Sequence, residues 1–342
     1  MGQLSLFDIQ NRMDKLNKKD RLLRLSETID WNIFLGGLRK AVEKEDRKSN
    51  AGRPPFNVLK MFKVLVLQRL YNLSDEEMEF QLRDRLTFSR FCGFDSEDVS
   101  PDEKTIWLYR EIFTRGGVIE RMFDRFDHYL RTHGYESKKG QILDATLVEV
   151  PVQRNTEEEN EKIQAGEVPE KWEKSPAKMA QKDRDASWLK KNGKSFFGYK
   201  NHTNTDVGHK LIRKYAVTPA HVHDSQKAEE NLDPWNTSPK VYGDSAYSSE
   251  DIEEHLDDFQ YQSKIHRKAY RNTPLSQFQM EQNRKKSRIR ARCEHVYGFL
   301  KYVMKGYLIR GIGITRAQAK IGLMNLTYNL WRYVYLVRLR SA

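Results

Sequence analysis

Nine residues constrain this chain more than any others. Ile142-Leu-Asp-Ala-Thr-Leu-Val-Glu-Val150 is short, rich in β-branched residues and apolar on both faces. Such a run suits a strand covered on both sides, and covered strands belong to sheets flanked by helices. Upstream of Gln141 the texture is different. Val58 to Tyr71 is dense in apolar residues and reads as a buried helix, and helical stretches follow over Thr105–Phe113 and Val118–Leu130. Ser74 with Glu77 has capping-box spacing, Ser100-Pro-Asp102 is a second helix start, and Ala51-Gly-Arg-Pro-Pro55 is a break. The first 135 residues therefore read as all-helical.

Downstream, strands are expected at Phe196–Asn204, Lys210–Val217, Lys240–Tyr242 and Tyr261–Ile265. A helix is expected from near Ser248, with Asp251 as its capping partner. Helices return over Leu275–Val303 and Arg316–Arg338. Between them Gln153–Lys194 is polar and carries the acidic run Glu157-Glu-Glu159, which reads as an inserted loop with some helix. The fold class is α/β. The domains are a helical 1–135 and a mixed 136–342 with a polar insert at about 152–195 and a basic helical end.

Charge narrows the function. The 342 residues carry a net +12, and the distribution is uneven. From Lys264 to Ala342 there are 18 Lys and Arg against two acids, Glu281 and Glu294, a net +16 that leaves −4 for everything before. A block of this size, interleaved with Tyr, Phe and Trp, points to a polyanion, foremost nucleic acid. No apolar run approaches the ~18 residues of a membrane span, and Met1–Asp8 has no secretion pattern. Cys92 and Cys293 are the only cysteines, which excludes a disulfide framework. A cytoplasmic, nucleoid-associated protein is expected. No phosphate-binding Gly-x4-Gly-Lys-Ser/Thr loop occurs, so no nucleotide cofactor is expected.

Three acids stand out by position. Asp144 sits inside the apolar strand, where a charge needs a partner or a cation; a salt-bridged aspartate is the plain alternative. Asp244 follows a short strand, where α/β sheets bind ligands; a turn cap is its alternative. Glu294 is one of the two acids in the basic block. At about 100° per residue, Arg290, Glu294, Tyr297 and Lys301 share one helix face, apart from a core stripe of Ile289, Cys293, Val296, Leu300 and Val303. An Arg290–Glu294 pair along the helix is the alternative there. Together the three can hold two divalent ions for phosphodiester chemistry. His221-Val-His223-Asp224 reads as a structural turn or DNA contact before a metal site. Trp188 with Lys190, Lys191 and Lys194 reads either as a stacking and phosphate surface or as a loop tryptophan packed back on its domain.

At these residues the sequence resembles the DDE-type insertion-sequence transposases of the insertion sequence 5 family. The resemblance is carried by Gly52-Arg-Pro-Pro55, Leu73-Ser-Asp-Glu-Glu77, Pro101-Asp102, Leu143-Asp144-Ala-Thr146, Phe197-Gly-Tyr-Lys200, Thr218-Pro-Ala220, His223-Asp224, Gly243-Asp244-Ser-Ala-Tyr247, Arg290-Ala-Arg-Cys-Glu-His295 and Tyr328-Asn329, in that order along nearly the whole chain. It implies an RNase H-like catalytic domain, with Asp144 on the first strand, Asp244 after the fourth and Glu294 on a later helix, binding Mg²⁺ (Mn²⁺ can substitute) as two ions. It implies DNA partners, both element ends and target, and a homodimer on paired ends. Arg290, Glu294 and Lys301 match the family's third-acid signature, whereas its tyrosine position holds Ser287. Arg284, Arg288, Arg290, Arg292, Lys301 and Lys200 are the expected DNA contacts. A nuclease that does not join strands, and an inactive or domesticated transposase-derived DNA-binding protein, are the alternatives.

The +16 block has a direct consequence. Log affinity for DNA should fall steeply and linearly with log salt, as counterion release requires. Fluorescence anisotropy between about 50 and 200 mM salt checks this, and a flat response would detach the block from DNA.

Overall fold

The computed structural model describes residues 20–43, 55–95, 98–191, 193–270 and 273–341. Two compact units emerge, Met1–Tyr129 with Leu326–Ala342, and Leu130–Asn325. The last part of the C-terminal helix thus groups with the N-terminal helices, whereas the sequence reading placed all of 136–342 in the second domain.

The first unit is helical throughout its described residues. Helices α1 (Arg21–Thr28), α2 (Leu35–Val42), α3 (Val58–Tyr71), α4 (Asp75–Asp84), α5 (Leu86–Cys92), α6 (Glu103–Arg115) and α7 (Val118–Thr132) follow in order. Their core is aromatic. Trp31, Phe34, Phe62, Phe91, Phe113 and Phe126 are buried and meet in edge and tilted contacts of 5.1–6.5 Å. Ser74 caps α4 by accepting from the Glu77 amide at 3.1 Å. The reciprocal half of the expected box is replaced, because Glu77 accepts instead from Gln81 at 2.6 Å. Asp102 caps α6 as expected, accepting from the Thr105 amide. The predicted break at Ala51–Pro54 lies outside the described residues.

The second unit is built on a mixed sheet. Its strands are β1 (Gln141–Glu149), β2 (Ser187–Lys191), β3 (Lys194–Asp206), β4 (Ile212–Pro219), β5 (Lys240–Gly243) and β6 (Gln262–Ile265). Across the sheet the path is β2-β3-β1-β5-β6, with β4 also on β3. β1 and β4 are antiparallel to β3, while β5 runs parallel to β1 and β6 parallel to β5. Setting β2 aside, this is the five-stranded order of an RNase H-like domain, with Asp244 after its fourth strand. Strand β2 was hidden in the polar insert. It pairs with the first five residues of β3, so β2 and β4 share one long edge. The rest of the insert holds three short helices, α8 (Glu157–Gln164), α9 (Glu170–Glu173) and α10 (Pro176–Ala180). They have a small core of their own, in which the buried Trp172 donates its Nε1–H to Glu159 at 2.7 Å.

Helix α11 (Glu250–Asp258) starts one residue later than expected, with Ser249 as cap accepting from Ile252. Helix α12 (Gln277–Gly298) is capped by a Ser276–Gln279 box and continues into a π-helical turn, Phe299–Val303, before α13 (Ile314–Ser341). The π turn takes one residue more than an α turn. It therefore ends the predicted core stripe at Leu300: Cys293, Val296 and Leu300 are buried, whereas Val303 is exposed.

Strand β3 is unusual in burying a continuous polar run, Lys200 to Asp206. Buried polar side chains need partners, and all of these but the Thr205 hydroxyl have one. Asn201 exchanges two amide hydrogen bonds with Asn325, at 2.9 and 3.0 Å. Asp206 pairs with Arg213 at 3.0 Å, and both are fully buried. Burial alone would raise the Asp206 carboxyl, but the His209 hydrogen bond and the Arg213 charge outweigh it and hold it below the ordinary carboxylate value. His202 shares a hydrogen bond of 2.8 Å with Thr218 and is neutral, since burial lowers its pKa to about 4. A histidine whose folded pKa lies below its ordinary 6.5 leaves stability intact above that value. Stability is lost as pH falls from 6.5 towards 4, because only the unfolded chain takes up the proton. The total is about 3 kcal/mol, at 1.36 kcal/mol per unit. His202→Gln should flatten this part of the stability–pH profile, measured by urea unfolding at successive pH values.

Candidate active site

The two acids of the sheet meet through strand register. Parallel pairing sets Gln141 against Val241 and Ile142 against Tyr242. Two residues further along each chain stand Asp144 and Asp244, past the last residues that the two strands pair. Asp144 is mostly buried. Its Oδ1 accepts from the Ala145 amide at 2.9 Å, and its Oδ2 accepts from Arg290 Nη1 and from the Cys293 thiol, each at 2.9 Å. Burial raises its pKa; the Cys293 hydrogen bond and the Arg290 charge oppose that, while the Asp244 charge adds to it. Asp244 turns its Oδ1 to the Ala246 amide at 2.8 Å and so caps a short 3₁₀ turn. Both plain alternatives are thus present as well: Asp144 is salt-bridged and Asp244 is a cap.

Helix α12 crosses the strand ends. Cys293 packs with Ile142, Val207 and Tyr242, with Ile289 and Tyr297 beside them. The Tyr297 hydroxyl shares a hydrogen bond of 2.7 Å with Thr203, the residue paired with Asp144 across β1 and β3. Tyr297 therefore looks onto the sheet and not towards solvent. Glu294, next to Cys293, is exposed. Among the described residues no ion pair joins Arg290 to Glu294; Arg290 reaches across to Asp144 at 2.9 Å instead. The charges of Asp144, Asp244 and Glu294 all act on the Arg290 guanidinium, which burial would otherwise lower and which they raise.

The predicted cations divide. Arg284 and Arg288 are exposed on α12. Arg292 spends Nη1 on the Val207 carbonyl at 2.6 Å, tying α12 to the end of β3. Lys301 is half-buried; burial and the neighbouring Lys191 charge lower its pKa, opposed by Glu149 and Asp144. Lys200 is a correction. It is buried, pairs with Asp224 at 2.8 Å and donates to the Val222 carbonyl at 2.6 Å. It lies opposite Leu147 in the ladder, three residues from Thr203, so strand alternation puts it on the other face from Asp144. The motif Phe197–Lys200 carried no parity information about its neighbour in space. The His221–Asp224 segment is structural. His221 meets Ser187 at 2.9 Å, and His223 caps a 3₁₀ turn.

Among the described residues no three His, Cys, Asp or Glu side chains gather into a ready metal-binding group. The donor chemistry nevertheless fits a hard divalent cation. Asp144, within β1, and Asp244, just past the end of the adjoining β5, offer carboxylate oxygens, and the desolvated Asp144 gains from any nearby positive charge. Sequence reasoning did not find the roles of Cys293 and Tyr297 around Asp144. The signal was available, since Cys293 was placed on the core stripe.

A family model described as "Transposase DDE domain" matches residues 135–330, more than half of the chain. The chain belongs to the DDE transposases. A second model, "Transposase domain", matches residues 10–111 of the transposase. A curated relative, "Transposase for insertion sequence element IS1106" from Neisseria meningitidis serogroup B, is 30% identical over 224 residues, covering 65% of this chain and 75% of that one. A solved chain, described as "Cryo-EM structure of piggyBac transposase synaptic complex with hairpin DNA", aligns with a TM-score of 0.47 at 12% identity, over 91% of this chain and 73% of that one. The protein is a DNA transposase, a metal-dependent DNA-cleaving enzyme with DNA as partner. No helix among the described residues is long and apolar enough to cross a membrane.

The Asp144–Arg290 contact is open to a double-mutant cycle. Arg290→Met should destabilise the transposase by leaving a desolvated carboxylate unpaired, and Asp144→Asn should remove most of that penalty. A coupling of about 1–2 kcal/mol is expected, measured by urea unfolding of the two single variants, the double variant and the wild type.

Proposed function

We propose that Asp144, Asp244 and Glu294 form the catalytic triad of this transposase and hold two Mg²⁺ ions, for which Mn²⁺ can substitute. The supporting observation is that β1 and β5 run in a register that sets Asp144 beside Asp244, while Arg290, on the helix that bears Glu294, is tied to Asp144. Bound metal would polarise the phosphodiester and lower the pKa of the attacking hydroxyl group.

The chain's own residues do the rest. Arg284 and Arg288, exposed on α12, bind DNA phosphates and set the register of the duplex without reading sequence. Arg290 moves between Asp144 and the phosphate nearest the cut. Arg292 keeps α12 seated on β3 through Val207. The carboxylates take the proton from the attacking water at the element's terminal inverted repeats, and later from the freed 3′-hydroxyl that joins target DNA. Identical ends call for identical sites, so a two-fold dimer pairs them. The helices of residues 1–135 recognise the ends. Placement in the insertion sequence 5 group rests on the motifs quoted above.

The test uses duplexes copied from the inverted repeats that flank the gene. Asp144→Asn, Asp244→Asn and Glu294→Gln should each lower nicking and strand transfer by orders of magnitude while retaining DNA binding. Normal cutting by Glu294→Gln would return Glu294 to a surface role. Nicking without strand transfer by the wild type would favour the plain nuclease.

A further inference from the structure

The β2–β3 hairpin projects beyond the five-stranded order that carries the acids, and its surface is chemically distinctive. Trp188 is 43% exposed and rests against Phe197 with ring centroids 5.1 Å apart and a 45° tilt. That contact supports the indole without covering it. Lys190, Lys191 and Lys194 are exposed around the hairpin tip; strand alternation puts Lys190 on the Trp188 face, and Lys191 with Lys194, paired across the ladder, on the other. Like charges opposite one another in a ladder are destabilising, so this tip is shaped for something other than stability.

The π turn and the segment after it contribute a second aromatic group. Tyr302, in the turn, is 84% exposed, and Tyr307, beyond it, is 51% exposed. Tyr307 is fixed by the sheet, because the Glu149 amide donates to its carbonyl at 2.8 Å and the Ile309 amide donates to the Glu149 carbonyl at 2.9 Å. The Val150 amide donates to Phe197 at 3.0 Å, and Phe197 pairs with Trp188. A continuous run of backbone hydrogen bonds thus joins Trp188 to Tyr307 over three strand spacings, about 14 Å. Lys301, on the π turn, lies within electrostatic reach of Lys191, Glu149 and Asp144.

We infer that the hairpin, the π turn and the segment after it form a platform for an unpaired DNA strand, with Trp188, Tyr302 and Tyr307 stacking on bases, Lys190 holding phosphate on the Trp188 face, and Lys191, Lys194 and Lys301 holding phosphates where the strand rounds the hairpin to its other face. Exposed aromatics interleaved with lysines are the chemistry of sequence-tolerant single-strand binding, since every base has a π-face. Duplex DNA stacks its own bases and leaves such rings unused, so the platform takes strand that has opened beside the cut. The inference rests on the proposed function for its setting, and extends it by naming the form of DNA held next to the acids.

The experiment measures anisotropy of the full-length protein with two labelled probes, a dT12 oligonucleotide and a 12-bp random duplex. Trp188→Ala and Tyr302→Ala should each weaken dT12 binding about tenfold and leave duplex binding within twofold. Trp188→Phe should recover most of the loss. A Lys190→Ala, Lys191→Ala, Lys194→Ala variant should reduce the salt slope for dT12 by about two. Tyr302 is too exposed to matter for folding, so its variant stays informative if Trp188→Ala unfolds the hairpin. Equal losses on both probes, or no loss on dT12, would overturn the inference. So would a switch from dimer to monomer in light scattering with dT12 binding intact, which would make the patch a protein interface. Absence of duplex binding by the wild type would instead count against the proposed function.

Discussion

A carboxylate sits where this sheet offers little water to solvate it, and much of the second unit is arranged around that fact. Asp144 lies on β1, and three groups hold it: its neighbouring amide, the Cys293 thiol and the Arg290 guanidinium. Two of the three come from α12, so the helix is seated on the sheet partly by the acid itself. Removing a charge from water costs several kcal/mol unless it is compensated. A chain that placed Asp144 there for stability alone would gain more from valine.

The same economy of polar contacts runs along β3. From Lys200 to Asp206 its side chains are polar and buried, and all but Thr205 find partners, on β1, β4, α12, α13 and the loops before β5. Apolar packing tolerates sliding, but paired amides and ion pairs do so far less, because a one-residue slip leaves every partner unsatisfied. Strand β3 therefore fixes the register of β1, and β1 fixes the level at which Asp144 meets Asp244.

Much of this was legible in the sequence. The apolar strand around Asp144, the helical first unit and the helix bearing Glu294 follow from hydrophobic period and caps, which are local signals. Strand β2 escaped because Ser187–Lys191 carries only Trp188 and Leu189 as apolar residues, and its pairing depends on β3. Lys200 was misplaced for a similar reason: a lysine in a motif gives no sign of Asp224 waiting for it in space. The pairing of Arg290 with Asp144 in place of Glu294 is again non-local, since the nearer acid along the helix lies in water and the distant one does not. The π turn, which exposes Val303, has no counterpart in a fixed 100° wheel.

Gly198 marks the point where the hairpin leaves the catalytic sheet. A Cβ there would stand 2.3 Å from the Val148 carbonyl oxygen and 2.9 Å from the Glu149 Cα, so β1 and β3 approach each other at this point as only glycine permits. On one side of it the strand is bound by its buried polar partners; on the other it pairs with β2 and keeps one backbone hydrogen bond, from Val150 to Phe197. The residue works as a clamp between two mechanical regimes. Changes of length among the three short insert helices can be absorbed within their own small core, whereas Asp183, just past them, is tied to the buried Tyr199 on the acids' side of the glycine. Lineages of this transposase are thus free to remodel those helices while the acids stay where β1 and β5 put them.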